Sequence, residues 1–147
     1  MKKFFLAAAL LIASVTVFAQ DYNWAVGLRG GGDLGGLTIK RNFGGTAIEG
    51  TVAYAWNGGI GGDIAYEFNV PVIADGFNLY YGPGIVAAIG NNVLALGIEG
   101  VVGLEYKIPV APVAISLDYR PQIVVSTADG AFTPGFWGIG LGIKFTF

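Results

Sequence analysis

The sequence predicts an all-β chain: an eight-stranded antiparallel transmembrane β-barrel following a cleaved signal peptide. Three observations carry that prediction. The first nineteen residues have the three parts of a secretory signal, and the rest alternates large apolar with small or polar residues at a period of two. The charges of those alternating segments fall on the face opposite the large apolar residues.

Met1, Lys2 and Lys3 form a positive head, Phe4 to Phe18 an apolar run, and Ala19 a small residue at its end. Val17 and Ala19 flank Phe18 in the small-x-small sense of a signal-peptidase site, which puts the cut after Ala19. The run is short for an anchor, since a bilayer core of roughly 30 Å takes about 20 helical residues. Polar Gln20, Asp21, Tyr22 and Asn23 follow at once, and the chain has no Cys to accept an N-terminal lipid. The predicted organisation is therefore a signal peptide over residues 1–19 and one barrel domain over residues 20–147.

Composition supports strands over helices. All 25 Gly fall after residue 19, among abundant Val, Ile, Leu and aromatics. Gly costs about 1 kcal/mol against Ala in a helix, whereas disorder is poor in apolar residues. The chain has neither Cys nor His, which removes the usual thiolate and imidazole chemistries and argues against a metal site or cofactor. Its net charge is −2, and −4 once Lys2 and Lys3 are removed, which argues against nucleic acid as a partner.

Period-two reading gives eight strands. The first runs from Tyr22 to about Gly31, with Arg29 opposite Trp24, Val26 and Leu28. The second, around Leu37 to Phe43, contains adjacent Lys40 and Arg41, so one of them must take the apolar face. The third sets Ile48, Val52, Tyr54 and Trp56 against Glu49, Thr51 and Ala53; the fourth sets Ile60, Ile64, Tyr66 and Phe68 against Asp63, Ala65 and Glu67. By hairpin register Glu49 is expected opposite Glu67. The fifth spans Phe77 to Gly90. The sixth sets Leu94, Leu96, Ile98, Val102, Leu104 and Tyr106 against Glu99, Glu105 and Lys107. In the seventh, Val113, Ile115, Leu117 and Tyr119 oppose Ser116, Asp118 and Arg120. The last puts Trp137, Ile139, Leu141, Ile143, Phe145 and Phe147 on one face and Gly138, Gly140, Gly142 and Lys144 on the other. Residues Ile85 to Leu104 could pass for an apolar helix, but Asn91-Asn92 reads as a two-residue hairpin turn, because Asn tolerates the positive φ such turns need. A connecting loop is expected from Ser126 to Gly135.

Lipid, rather than water, is expected outside. Arg29, Glu49, Asp63, Glu67, Glu99, Glu105, Lys107, Asp118, Arg120 and Lys144 share the face of the small residues, with Lys40 a further candidate. A Lys or Arg facing lipid at mid-membrane costs roughly 2–4 kcal/mol, so segregation of charge is the expected pattern. An eight-stranded barrel is only wide enough to be filled by side chains; small residues with a charged network fit it, and Trp24, Trp56, Trp137 and the many Phe and Tyr do not. Tyr80 is a candidate to fill part of the space the glycines leave. Tyr22, Trp24, Phe43, Phe68, Phe77, Tyr106, Phe145 and Phe147 gather at one rim, with Trp56 and Trp137 towards the other, as interfacial girdles do.

Three features give the chain a family resemblance: the alternating C-terminal strand ending in Phe147, the segment Gly76-Phe77-Asn78-Leu79-Tyr80-Tyr81-Gly82-Pro83-Gly84, and Ile115-Ser116-Leu117-Asp118-Tyr119-Arg120-Pro121. Through them the region after residue 19 resembles the small outer-membrane β-barrel family of the OmpA/OmpX-like, opacity-like kind. The resemblance implies a Gram-negative-type envelope, both termini in the periplasm, outer-membrane lipid as the surroundings, and outward loops. It implies too that Phe145 and Phe147 serve as the signal read by the barrel-assembly machinery. The loops here are shorter than in adhesive members.

Catalytic constellations are missing. Acyl transfer or ester hydrolysis needs an activated Ser or Thr beside a base, most often His; after residue 19 only Ser116 and Ser126 remain, with no His. The Gly30-Gly31-Gly32 run lacks the Gly-Lys-Ser/Thr that a phosphate loop requires. The expectation is a non-enzymatic, monomeric barrel that contributes to envelope structure or surface properties, its lumen filled by paired charges. A minimal channel for ions or very small solutes and a soluble periplasmic barrel binding an apolar ligand are the alternatives.

Overall fold

The computed structural model describes residues 22–31, 34–55, 58–71, 74–127, 132–135 and 138–147. The expected signal peptide, Trp56 and Trp137 lie outside the described residues. Ten strands form: β1 (Trp24–Gly31), β2 (Leu34–Asn42), β3 (Thr46–Ala55), β4 (Ile60–Pro71), β5 (Phe77–Gly90), β6 (Val93–Lys107), β7 (Val113–Tyr119), β8 (Gln122–Ser126), β9 (Phe132–Gly135) and β10 (Ile139–Thr146). The described residues include no helix.

Each strand pairs antiparallel with its neighbours, and the circle closes where β10 meets both β1 and β7. Counted as staves, the barrel has eight strands, because β7 with β8 and β9 with β10 each make one interrupted stave. The β6 ladder shows this directly: Val102 faces Tyr119 and Glu99 faces Gln122, the same register on both sides of the break. Pro121 causes the break, since proline has no N–H to give to the ladder, yet its carbonyl still accepts from Gly100 N–H at 2.9 Å. Across from it, Tyr119 faces Ile139 while Gln122 faces Gly135, so the two residues between these pairs on one stave stand against three on the other. One extra residue of this kind is a β-bulge offset.

The sequence reading missed β8 and β9. Pro121 and Pro134 disguised strand continuity, and the run Ile123-Val124-Val125 has no period-two alternation to read. The expected loop from Ser126 to Gly135 is correspondingly shorter, because Phe132–Gly135 is paired with β8. The β5–β6 hairpin follows expectation. Gly90 faces Val93, and Asn91 and Asn92 both have positive φ, 50° and 60°, which matches the right-handed strand twist with a two-residue turn.

Alternation decides what fills the barrel. On β1 Ala25 and Arg29 are buried while Trp24, Val26 and Leu28 face out; on β10 Lys144 and Thr146 point in while Leu141, Ile143 and Phe145 point out. The result inverts a soluble protein. Buried apolar residues are few and mostly small (Ala25, Ala47, Ala65, Ala114), and the largest fully buried side chains after Tyr80 are Lys40, Lys144, Glu49, Glu67 and Glu105. An in-register row of Ile115, Ile143, Leu28, Leu37 and Val52 crosses the outer wall, and the last three are 63%, 64% and 68% exposed.

Candidate functional site: the lumen charge network

Seven of the eight staves contribute charge to the interior, because each turns one or two long polar side chains in among small neighbours. Arg29 comes from β1, Lys40 from β2, Glu49 from β3, Asp63 and Glu67 from β4, Glu99 and Glu105 from β6, Asp118 with Arg120 from the β7–β8 stave, and Lys144 from β10. The fifth strand gives Tyr80 instead.

Arg120 is the hub of one half. Its guanidinium reaches Glu49 at 2.5 Å, Asp63 at 2.8 Å, Asp118 at 3.3 Å and Glu99 at 3.5 Å. Arg29 pairs with the same Asp118, and the Tyr80 hydroxyl donates to it at 3.0 Å. In the other half Lys144 pairs with Glu49 and, at 3.2 Å, with Glu105. Lys40 lies 2.8 Å from Glu67 and 3.5 Å from Glu105. Glu49 joins the halves: one carboxylate oxygen faces Arg120 and the other Lys144. The Tyr80 ring lies between the clusters, with the Lys40 ammonium 4.6 Å and the Lys144 ammonium 5.9 Å from its centroid, within cation–π range.

The glycines expected to leave space turn out to be spaces already used. Gly103 faces Tyr80 on β5 and Asp118 on β7. A Cβ added there would meet the Tyr80 ring and would sit 2.7 Å from the Asp118 Cβ. A Cβ at Gly140 would run into the Arg29 guanidinium, and one at Gly84 would lie 2.8 Å from a Glu99 oxygen. Small residues line the wall so that long charged ones can cross the lumen.

Nine of the ten residues expected in this network are brought together there, together with Lys40, which settles which of the Lys40–Arg41 pair points in. Lys107 is the exception. It is half-buried at the end of β6, and its ammonium donates to the Ile108 and Ala111 carbonyls at 2.9 and 2.8 Å, closing the following turn. Where the wall gives way to a turn, backbone carbonyls offer Lys107 its partners in place of the lumen carboxylates.

Two further expectations change. Glu49 does not oppose Glu67: Glu49 faces Ala65 and Glu67 faces Ala47, a register offset by two residues that keeps both side chains on the lumen face. Tyr22, expected in the aromatic rim, is buried, and its hydroxyl donates to Glu105. Burial next to that carboxylate holds the Tyr22 phenol well above its ordinary pKa, which keeps it a donor. No sequence signal distinguished Tyr22 from Trp24: they share a parity and the first strand was expected to start at Tyr22, whereas β1 starts at Trp24 and leaves Tyr22 outside its alternation.

Chemically, the network binds its own groups. Six carboxylates and four cations are buried together, and buried charge persists only when paired and hydrogen-bonded. Ser116 is buried on the lumen side without a hydrogen-bond partner for its hydroxyl, and the chain has no His to activate it. No protein-family model, curated protein or solved structure matches the chain.

Proposed function

We propose that the chain is an exported, integral outer-membrane β-barrel protein that performs no catalysis and contributes to envelope structure or surface properties. The observation that carries this reading is the inverted burial: a closed barrel with its charges inside and its large apolar side chains outside. In water that outer wall would be an apolar surface far beyond the few hundred Å² that monomers usually expose. In hydrocarbon it is the favoured surface, and closure satisfies every strand edge that lipid could not hydrogen-bond. Closure also leaves no edge for strand addition, consistent with a monomer. The resemblance noted above supports placing the end where Asn23 and Trp24 meet Phe147 towards the periplasm, with Phe145 and Phe147 as the assembly signal.

The test is fractionation with gel mobility. The protein is expected in the outer-membrane fraction, migrating differently before and after boiling. Release by osmotic shock or salt would overturn the reading in favour of a soluble barrel, whose apolar ligand would have to displace a polar, filled interior.

A minimal channel is the nearest alternative. Against it, Arg120 and Lys144 reach carboxylates on staves across the lumen and Tyr80 fills the middle. In planar bilayers the purified barrel is expected to give no steady single-channel steps. Regular steps would make the lumen a pathway instead of a core.

A further inference from the structure

Arg41 is the one charged side chain that a strand turns outward among the described residues. Strand β2 points Thr38, Lys40 and Asn42 inward, so Arg41 shares the outer face with Leu37 and Ile39. Its cross-strand partner on β1 is Trp24. The guanidinium lies 4.7 Å from the Trp24 ring and 5.6 Å from the ring of Phe43, the residue after the strand. Each of the four interior cations has a carboxylate partner, whereas Arg41 has none among the described residues.

A guanidinium carries five N–H donors in a planar fork. The two ring faces attract its charge and hold it against the wall, but they accept few of those donors. What remains is a positioned cation at the barrel end where Phe145 and Phe147 also face out, and it calls for a bidentate anion. We propose that Trp24, Arg41 and Phe43 bind the phosphate of an anionic phospholipid headgroup at the rim where residues 22 and 147 lie. The proposal rests on the membrane reading above and specifies one lipid contact within it. Phosphate matches the fork with two parallel hydrogen bonds, and an aromatic-flanked rim is where headgroups sit. Lys40, one residue away, cannot serve, because β alternation turns it into the lumen.

The experiment uses the protein purified in a phosphate-free maltoside detergent, with a small mole fraction of phosphatidylglycerol added, and native mass spectrometry to count retained lipid. Wild type is expected to retain one lipid in preference to others. Arg41→Gln should weaken that retention about tenfold, the scale of one charged hydrogen-bonded contact. Arg41→Lys should fall between them, since a point charge lacks the fork, and it provides the comparison if the Gln variant does not fold. Inorganic phosphate at equal concentration should not displace the lipid; displacement would make this a free-phosphate site and overturn the lipid assignment. Equal retention by wild type and both variants would overturn it too. Insertion of wild type into zwitterionic vesicles, read by heat-modifiable mobility, tests the membrane reading separately. Insertion with unchanged lipid retention in the variants sinks only the headgroup site.

Discussion

Arg120 holds carboxylates from four staves with one planar group, and that makes it the residue whose loss should cost most. Removing it leaves Glu49 with Lys144 alone, Asp118 with Arg29 and Tyr80, and Asp63 and Glu99 without the cation they share. Deleting one partner of a buried pair costs about 3–5 kcal/mol, because the other charge stays buried and uncompensated. Arg120→Ala is therefore expected to lower the urea midpoint of the refolded barrel by that order, followed by tryptophan fluorescence. Pairing it with Glu49→Gln should recover part of the loss, since residues in one network are non-additive. A midpoint within error of wild type would mean that the lumen charges do not hold the barrel together. Lys107→Ala, by contrast, removes only the two turn hydrogen bonds and should cost about 1–2 kcal/mol; a loss as large as that of Arg120 would return Lys107 to the network.

At the scale of strands and turns, the same reasoning concerns space and register. Tyr80, Gly103 and Asp118 sit side by side on β5, β6 and β7, and the Tyr80 hydroxyl crosses Gly103 to reach Asp118. Gly103→Val would put a branched side chain where that contact runs, and overpacking of a filled interior costs about 1–3 kcal/mol. It should destabilise the barrel more than Gly100→Val, where the nearest side-chain atom to an added Cβ is 3.8 Å away on Pro121; equal effects would show that the lumen has slack at Gly103. Much of this scale was legible in the sequence. Parity alone placed nine charges inside and drew the Asn91-Asn92 turn, because a period of two leaves no freedom once one face is apolar. Four things were not legible. Prolines hid β8 and β9, since a strand that lacks a ladder N–H looks like a loop. The turn carbonyls captured Lys107, and the short second strand offered two adjacent cations, Lys40 and Arg41, for one inward position. Contacts across the lumen, including the hub role of Arg120, depend on how the staves curl in three dimensions, which no local pattern records.

For the whole molecule the deciding question is what solvent the outer wall meets, and one substitution separates the answers. Leu28 lies midway along β1, in register with Leu37 and Ile143, and is 63% exposed. If water surrounds the barrel, Leu28→Arg replaces an exposed apolar side chain with a soluble one, and surface changes of that kind usually fall within about 0.5 kcal/mol. If hydrocarbon surrounds it, the same Arg meets the bilayer near its midplane and costs roughly 2–4 kcal/mol. Depth supplies the internal control, because the penalty falls to about 0–1 kcal/mol near the interfaces. Phe145→Arg, close to the rim and 59% exposed, should therefore be cheaper than Leu28→Arg despite deleting the larger side chain. Equilibrium unfolding in phosphatidylcholine vesicles measures both. A large loss at Leu28 with a small one at Phe145 is the expected order. Equal and negligible effects would mean that the wall never meets lipid, however apolar it is, and an inverted order would mean that the apolar belt is centred nearer the rim than the middle of β1.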